Sequence, residues 1–198
     1  MKKTIVIVLV AVLAGALLYL VPTYNRLQKL DESVTAQWAE VINQYQRRAD
    51  LVPNLVETVK GYAAHEEAVF TQVTEARAKV AGTPVTPNLP EDEAALARFQ
   101  NAQSELSGAL ARLLVVAENY PELKANEMFG NLMTQLEGTE NRIATARRHY
   151  IDGVQEFNSA IRAFPGNIIA GFSGLQRRAT FSVADEAAIS TAPAVQFN

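Results

Sequence analysis

The residues best equipped for chemistry in this chain are His65 and Glu66, and their surroundings do not complete a catalytic set. The run His65-Glu66-Glu67-Ala68-Val69 begins like a zinc-binding helix, in which two histidines four residues apart share one face and a glutamate acts as base. Val69 stands where the second histidine is needed. The other histidine, His149, is remote in sequence and has no carboxylate spacing that suits a metal ion. The chain contains no cysteine, which removes thiol catalysis, disulfides and an acylated lipoprotein anchor. It has no glycine-rich phosphate loop and no Gly-x-Ser-x-Gly elbow, and nothing near Ser104 or Ser107 would activate a hydroxyl. The residues therefore predict a protein that is not an enzyme, with no catalytic residue, metal or cofactor.

More informative are polar residues inside strongly helical segments. Gly138, Thr139, Glu140, Asn141 and Arg142 interrupt the longest apolar period in the chain. Glycine costs about 1 kcal/mol relative to alanine in a helix interior, so Gly138 is expected to make room for something large. The expected occupant is Trp38, the one tryptophan. Counting helical layers places Trp38, His65, Glu66 and Gly138 at similar heights, with Glu140 or Arg142 pairing with His65, Glu66 or Arg77. Such a buried polar layer more often sets helix register than performs chemistry. Arg47 and Arg48 suit a helix C-terminus, with Asp50 as the local partner.

A second group of candidates lies near the end of the sequence. Ile168, Ile169, Phe172 and Leu175 belong to an apolar stretch too short to span a bilayer, and Arg177 and Arg178 follow it. This pattern suits a segment lying in the headgroup region with its arginines on anionic lipid, or one packing against a partner. From Ala179 onwards the composition is that of a mobile tail, and its apolar end, with Val195 and Phe197, suits capture by a partner.

The elements that must position these residues are helices. Leu27, Leu30, Val34, Trp38, Val41 and Tyr45 step by threes and fours, and so do the apolar positions from Leu96 to Tyr120 and from Phe129 to Phe164. Asp50 with Pro53 predicts a break between a first and a second helix, the alternative being one long helix kinked at Pro53. Gly82 to Pro90 reads as a loop, with Glu91, Asp92 and Glu93 opening a third helix. Tyr120-Pro121 ends the third helix, Asn126 caps the fourth, and Phe164-Pro165-Gly166 stops it. Short connections predict an antiparallel up-down-up-down four-helix bundle.

Before the bundle, Thr4 to Val21 form an unbroken apolar run. At about 1.5 Å per residue it is roughly 27 Å long as a helix, close to the thickness of the hydrocarbon core of a bilayer. Lys2 and Lys3 precede it, as they would in a cleaved signal peptide, but hydrophobicity continues beyond the small residues Ala14-Gly15-Ala16. The run is therefore read as an uncleaved transmembrane helix, with Lys2 and Lys3 cytoplasmic and the bundle outside. A net charge of −3 argues against nucleic acid as a partner.

The segments Gln44 to Ala63, Tyr120-Pro121-Glu122-Leu123-Lys124-Ala125-Asn126 and Leu136 to Ile143, with Phe157-Asn158 and Phe164-Pro165, resemble the LemA family. The resemblance runs from the anchor to about Phe172. It implies a single-pass bacterial membrane protein with an antiparallel four-helix domain and no established enzymatic activity. Members encoded beside membrane proteases or envelope proteins, and a relative that helps build magnetosome membranes, imply envelope maintenance or membrane shaping.

The resulting expectation is an all-α chain: a transmembrane anchor at 1–22, a helical bundle at 23–167, and an apolar interfacial segment with an irregular tail at 168–198. Its expected role is a self-associating scaffold in the bacterial inner membrane, with the lipid bilayer, further copies of itself and a membrane protein as candidate partners. The alternative is an adaptor or regulator of a membrane protease or signalling partner.

Overall fold

The computed structural model describes residues 2–181, with the helical backbone alone at 12–14, 16 and 17. Among the described residues the regular elements are all helical. Helix α1 runs unbroken from Lys2–Lys60 through both Pro22 and Pro53. The break expected at Asp50 is therefore absent, and the chemistry around Pro53 explains why. A proline has no N–H for the carbonyl four residues back, here that of Ala49. Arg77 Nε, from the next helix, donates to that carbonyl at 3.1 Å. With the orphaned acceptor satisfied and Val52, Leu55, Val56 and Val59 all buried, the helix continues.

The chain reverses instead between Gly61 and Glu66, and α2 (Glu67–Gly82) is only half as long as expected. A 3-10 turn at Leu89–Glu91 leads into α3 (Glu93–Glu118), whose N-cap Asp92 accepts from the Ala95 amide at 3.0 Å. After the single turn α4 (Pro121–Lys124), Asn126 accepts from the Phe129 amide at 3.0 Å and opens α5 (Glu127–Arg162), as its position in the sequence implies. A short α6 (Gly166–Ser173) folds back against α1 and α5 and stops at Gly174, whose φ of 69° is left-handed. A Cβ at Gly166 would stand 2.1 Å from the Ala160 carbonyl oxygen, so only glycine permits this close turn.

Contacts fix the directions. Arg26 with Glu156, Arg48 with Glu140 and Tyr62 with Asn126 pair α1 antiparallel to α5. Lys79 with Glu105 and Gln72 with Arg112 pair α2 antiparallel to α3. α1 with α5 and α2 with α3 are the two extensive pairings, whereas α3 and α5 barely approach each other.

Among the described residues no helix is long and apolar enough to cross a membrane. The expected anchor Thr4–Val21 lies within α1, where Ile5 to Val10 and Leu18 to Val21 are exposed.

Two hydrophobic clusters fill the interior. One gathers Trp38, Tyr45, Phe99, Tyr150, Phe157 and Phe181 with Leu27, Val34, Leu89, Val154 and Ile161 around them. The other, towards the Gly61 turn, is aliphatic, built from Val52, Leu55, Val59, Leu106, Leu110, Leu113, Leu123 and Leu136 among others.

Candidate functional site

The boundary between those two clusters is polar. Along α1 the order is Tyr45, Arg48, Val52; along α3 it is Phe99, Gln103, Leu106; along α5 it is Leu136, Thr139, Ile143. Arg48, Gln103 and Thr139 are the buried polar residues among those described, and they share this one level. Thr139 is silent, its hydroxyl donating to the Gln135 carbonyl one turn back at 2.7 Å. Arg48 organises the layer. Its side chain is 2% exposed, and its guanidinium has five N–H groups to place. Nη1 donates to Ser107 Oγ at 2.8 Å and to Glu140 Oε1 at 3.0 Å. Nη2 donates to the Gln103 backbone carbonyl at 3.1 Å and to Gln103 Oε1 at 2.6 Å. Nε is buried with no partner among the described residues.

Tyr45 lies under the same guanidinium, 5.1 Å from ring centroid to Cζ. Burial raises its hydroxyl pKa above the ordinary tyrosine value, against the opposing charges of Arg147 and Arg48. Ser107 donates its proton to the Gln103 carbonyl at 3.0 Å, which makes it a structural link rather than a nucleophile.

This layer differs from the one the sequence suggested. Trp38 is indeed buried, but its ring packs against Phe99, Tyr150 and Phe181 at centroid distances of 5.6, 5.4 and 6.0 Å. Its Nε1 donates to the Thr86 carbonyl at 3.2 Å. His65 is exposed and Glu66 half-buried, both in the turn before α2. Arg142 is exposed, and a Cβ on Gly138 would meet only the Arg142 guanidinium at 3.5 Å, so Gly138 makes no room for Trp38. Of the six expected members, Glu140 alone joins the buried polar network. The cause is the misplaced break: counting from Pro53 rather than Gly61 shifts every layer of α1 and α2. Arg48 likewise does not pair with Asp50, which accepts from Gln46 at 2.9 Å.

The opposite feature, an exposed apolar group, occurs at the end of the helical core where α1 emerges. On α6, Ile169 and Ala170 are buried, while Ile168 and Phe172 are 47% and 90% exposed, and Phe164 just before it is 75% exposed. Leu175 is partly buried against the aromatic cluster, and Arg177 is exposed. Arg178 departs from the expectation of a lipid contact. It is ion-paired to Asp31 at 2.8 Å and to Glu91, and its backbone exchanges two hydrogen bonds with Asn158, at 2.8 and 3.0 Å. Burial alone would lower its pKa, but Asp31 and Glu91 more than offset that and raise it.

The residues from Ala179 to Phe181 are also not a loose tail. The Ala179 amide donates to the Pro90 carbonyl at 2.7 Å, the Tyr150 hydroxyl donates to the Ala179 carbonyl at 2.7 Å, and Phe181 is buried in the aromatic cluster. The core thus extends well past Phe164, the last core position expected from the sequence. The candidate contacts Val195 and Phe197 lie outside the described residues. Among the described residues there is no group of three or more His, Cys, Asp or Glu side chains that could hold a metal ion.

Comparison with known proteins gives these features a setting. A family model described as LemA family matches residues 37–197. Magnetosome protein MamQ 2 of Paramagnetospirillum magneticum is 27% identical over 174 residues, covering 80% of this chain and 64% of that protein. Magnetosome protein MamQ of Magnetospirillum gryphiswaldense is 25% identical over 170 residues, covering 78% and 62%. Protein LemA of Metamycoplasma hominis is 25% identical over 139 residues, covering 70% and 59%. The chain therefore spans less than two thirds of the length of these relatives.

Proposed function

This chain belongs to the LemA family, and we propose that it is a membrane-anchored helical scaffold with no enzymatic role. In this reading Thr4–Val21 crosses the bacterial inner membrane, Lys2 and Lys3 stay in the cytoplasm, and α1, α2, α3 and α5 form an up-down-up-down bundle outside it. The observation that carries the proposal is the continuity of α1. One helix continues from an exposed apolar segment into the helical core. Exposed apolar side chains on a helix face water only at a cost of about 25 cal/mol per Å², which a bilayer would remove. Phe164, Ile168 and Phe172 lie at the same end as the anchor and would sit at the headgroup level, with Arg177 beside anionic lipid. Kinship with proteins named for the magnetosome supports a membrane setting.

Anchoring also suits scaffolding, because copies confined to two dimensions reach high effective concentrations and weak lateral contacts then suffice. Alkaline carbonate washing should leave the full chain in the membrane pellet and release a chain that starts at Tyr24; release of both would overturn the anchor. In mild detergent a homogeneous multimer is expected. A monomer that co-purifies with another membrane protein would instead favour an adaptor. A reporter fused after Asn198 should be active only outside the cytoplasm.

A further inference from the structure

Because α3 and α5 stand apart, a groove of about 440 Å³ opens between them at the level of the polar layer. Its volume falls in the range of small-ligand sites, roughly 300–1,000 Å³. Positions 100, 103, 104 and 107 of α3 form one wall, and positions 140, 143, 147 and 151 of α5 form the other. Both sets recur at three- and four-residue spacing, so each helix turns one continuous face to the groove. Tyr45 and Arg48 of α1 make the floor, and Phe181 closes one side.

The charged groups of this groove are mostly cationic. Arg48 lies at the bottom, with Nη1 donating to Ser107 and Glu140 and Nη2 to Gln103. Arg147 stands on the α5 wall with its guanidinium 4.5 Å from the centroid of the Phe181 ring, and no carboxylate among the described residues lies within ion-pairing distance of it. Gln100, Asn101 and Ser104 add amide and hydroxyl groups that can donate or accept. Against two guanidinium groups there is one carboxylate, Glu140, which is 47% exposed and reaches Arg48 from the rim. Of the partners of Arg48, Glu140 is the one at the open rim, so an oxyanion entering the groove reaches Nη1 by taking its place.

We propose that the α3–α5 groove binds a small oxyanion-bearing ligand, a carboxylate or a phosphate monoester, held by Arg48 and Arg147, with Glu140 as an internal competitor for the same guanidinium. Guanidinium forks suit carboxylate and phosphate alike. Ile143, Ile151 and the Phe181 ring leave an apolar wall for the body of the ligand. Arg48 lies roughly 39 Å along α1 from Pro22 at about 1.5 Å per residue, too far for a lipid headgroup, so the ligand is soluble.

The test uses the full chain in mild detergent, titrated separately with inorganic phosphate and with acetate against sodium chloride of matched ionic strength. Trp38 fluorescence and the thermal midpoint are followed. A saturable response to either anion beyond the chloride control is expected. Phosphate alone points to phosphate monoesters, and acetate alone to carboxylates. Glu140→Gln should lower the Kd about tenfold and Arg147→Gln should raise it about tenfold, the size expected for one charge interaction at a partly exposed site. Both positions are at least partly exposed, so these variants fold even if an Arg48 variant does not. Responses that match chloride, or that are unchanged in both variants, would overturn the proposal.

Discussion

The two halves of the helical core on either side of Arg48 solve the same packing problem with different side chains. Towards the Gly61 turn, α1, α2, α3 and α5 all contribute to one cluster, and valine, leucine and alanine fill it with only Phe70 and Phe129 as buried aromatics. Towards the Leu27 end α2 has stopped at Gly82, leaving three long helices to enclose the space there. Six large aromatic side chains occupy that space, and irregular segments complete the wall: the Thr86 carbonyl, Leu89, Pro90, α6 and the strap from Leu175 to Phe181. Helix separation follows the size of the side chains at the contact, so where four helices meet, aliphatic residues suffice, and where one is missing, rings and loops must substitute. The near half therefore depends on segments distant in sequence, whereas the far half depends mainly on its helices, with Ala63 of the turn as a buried addition.

The largest effects should come from the cores themselves. Trp38→Ala should destabilise the chain by about 3–5 kcal/mol and Leu113→Ala by about 2–5 kcal/mol, in chemical unfolding followed by circular dichroism in detergent. Because Trp38 is the single tryptophan, its fluorescence reports the near half alone. α1, α3 and α5 each cross the polar layer without a break, so fluorescence and circular dichroism should give one coincident transition in the Leu113 variant. Separate transitions would mean that the Arg48 layer divides the molecule into two cooperative units.

Next comes the strap. Phe181→Ala should cost about 2–3 kcal/mol, the value of one buried aromatic side chain, and should shift the native emission of Trp38. Truncation after Asn167 removes Ile169, Ala170, Arg178 and Phe181 together and should cost more than Phe181→Ala, while truncation after Phe181 should preserve the core. Equal stability of all three proteins would show that the near half does not need its irregular wall.

Tyr150→Phe should cost about 1 kcal/mol through the lost bond to the Ala179 carbonyl. The same residue has a pH signature. Burial raises the Tyr150 pKa above its ordinary value of 10.0. The folded protein thus keeps this proton after the unfolded chain has begun to lose it. Its contribution is fully present below about pH 10 and is lost as pH rises further. Alkaline unfolding should therefore be shallower in Tyr150→Phe, with the remainder carried by Tyr45, whose hydroxyl is shifted the same way. The smallest effect should be a gain: Gly138→Ala meets only ordinary contact with Arg142 and should stabilise by about 0.5–1 kcal/mol in thermal unfolding. A loss there would revive the idea that Gly138 accommodates a large neighbour.

Helical class, the Asn126 cap, the loop after Gly82 and the burial of Trp38, Leu106, Leu110 and Phe157 were all legible in the sequence. Each depends on local geometry or on the three-to-four spacing of apolar residues, and both are written in consecutive positions. A polar member in the apolar period of α3, Gln103, and another in α5, Thr139, were visible too, and they mark the true layer. Its centre was not. Arg48 looked like a surface arginine at a helix end because Pro53 looked like a helix start, and only Arg77 arriving from α2 to take the Ala49 carbonyl removes that break.

Sequence by itself determined that this chain is a set of amphipathic helices following an apolar run, because side-chain pattern and backbone capping act over a few residues. Tertiary structure alone decided which helix continues through a proline, which arginine is buried and where the core ends. Those outcomes rest on partners far apart in sequence: Arg77 with Ala49, Arg48 with Gln103 and Glu140, Arg178 with Asp31, Phe181 with Trp38. A buried charge or a freed carbonyl is tolerable only when such a partner arrives, and no local pattern records its arrival.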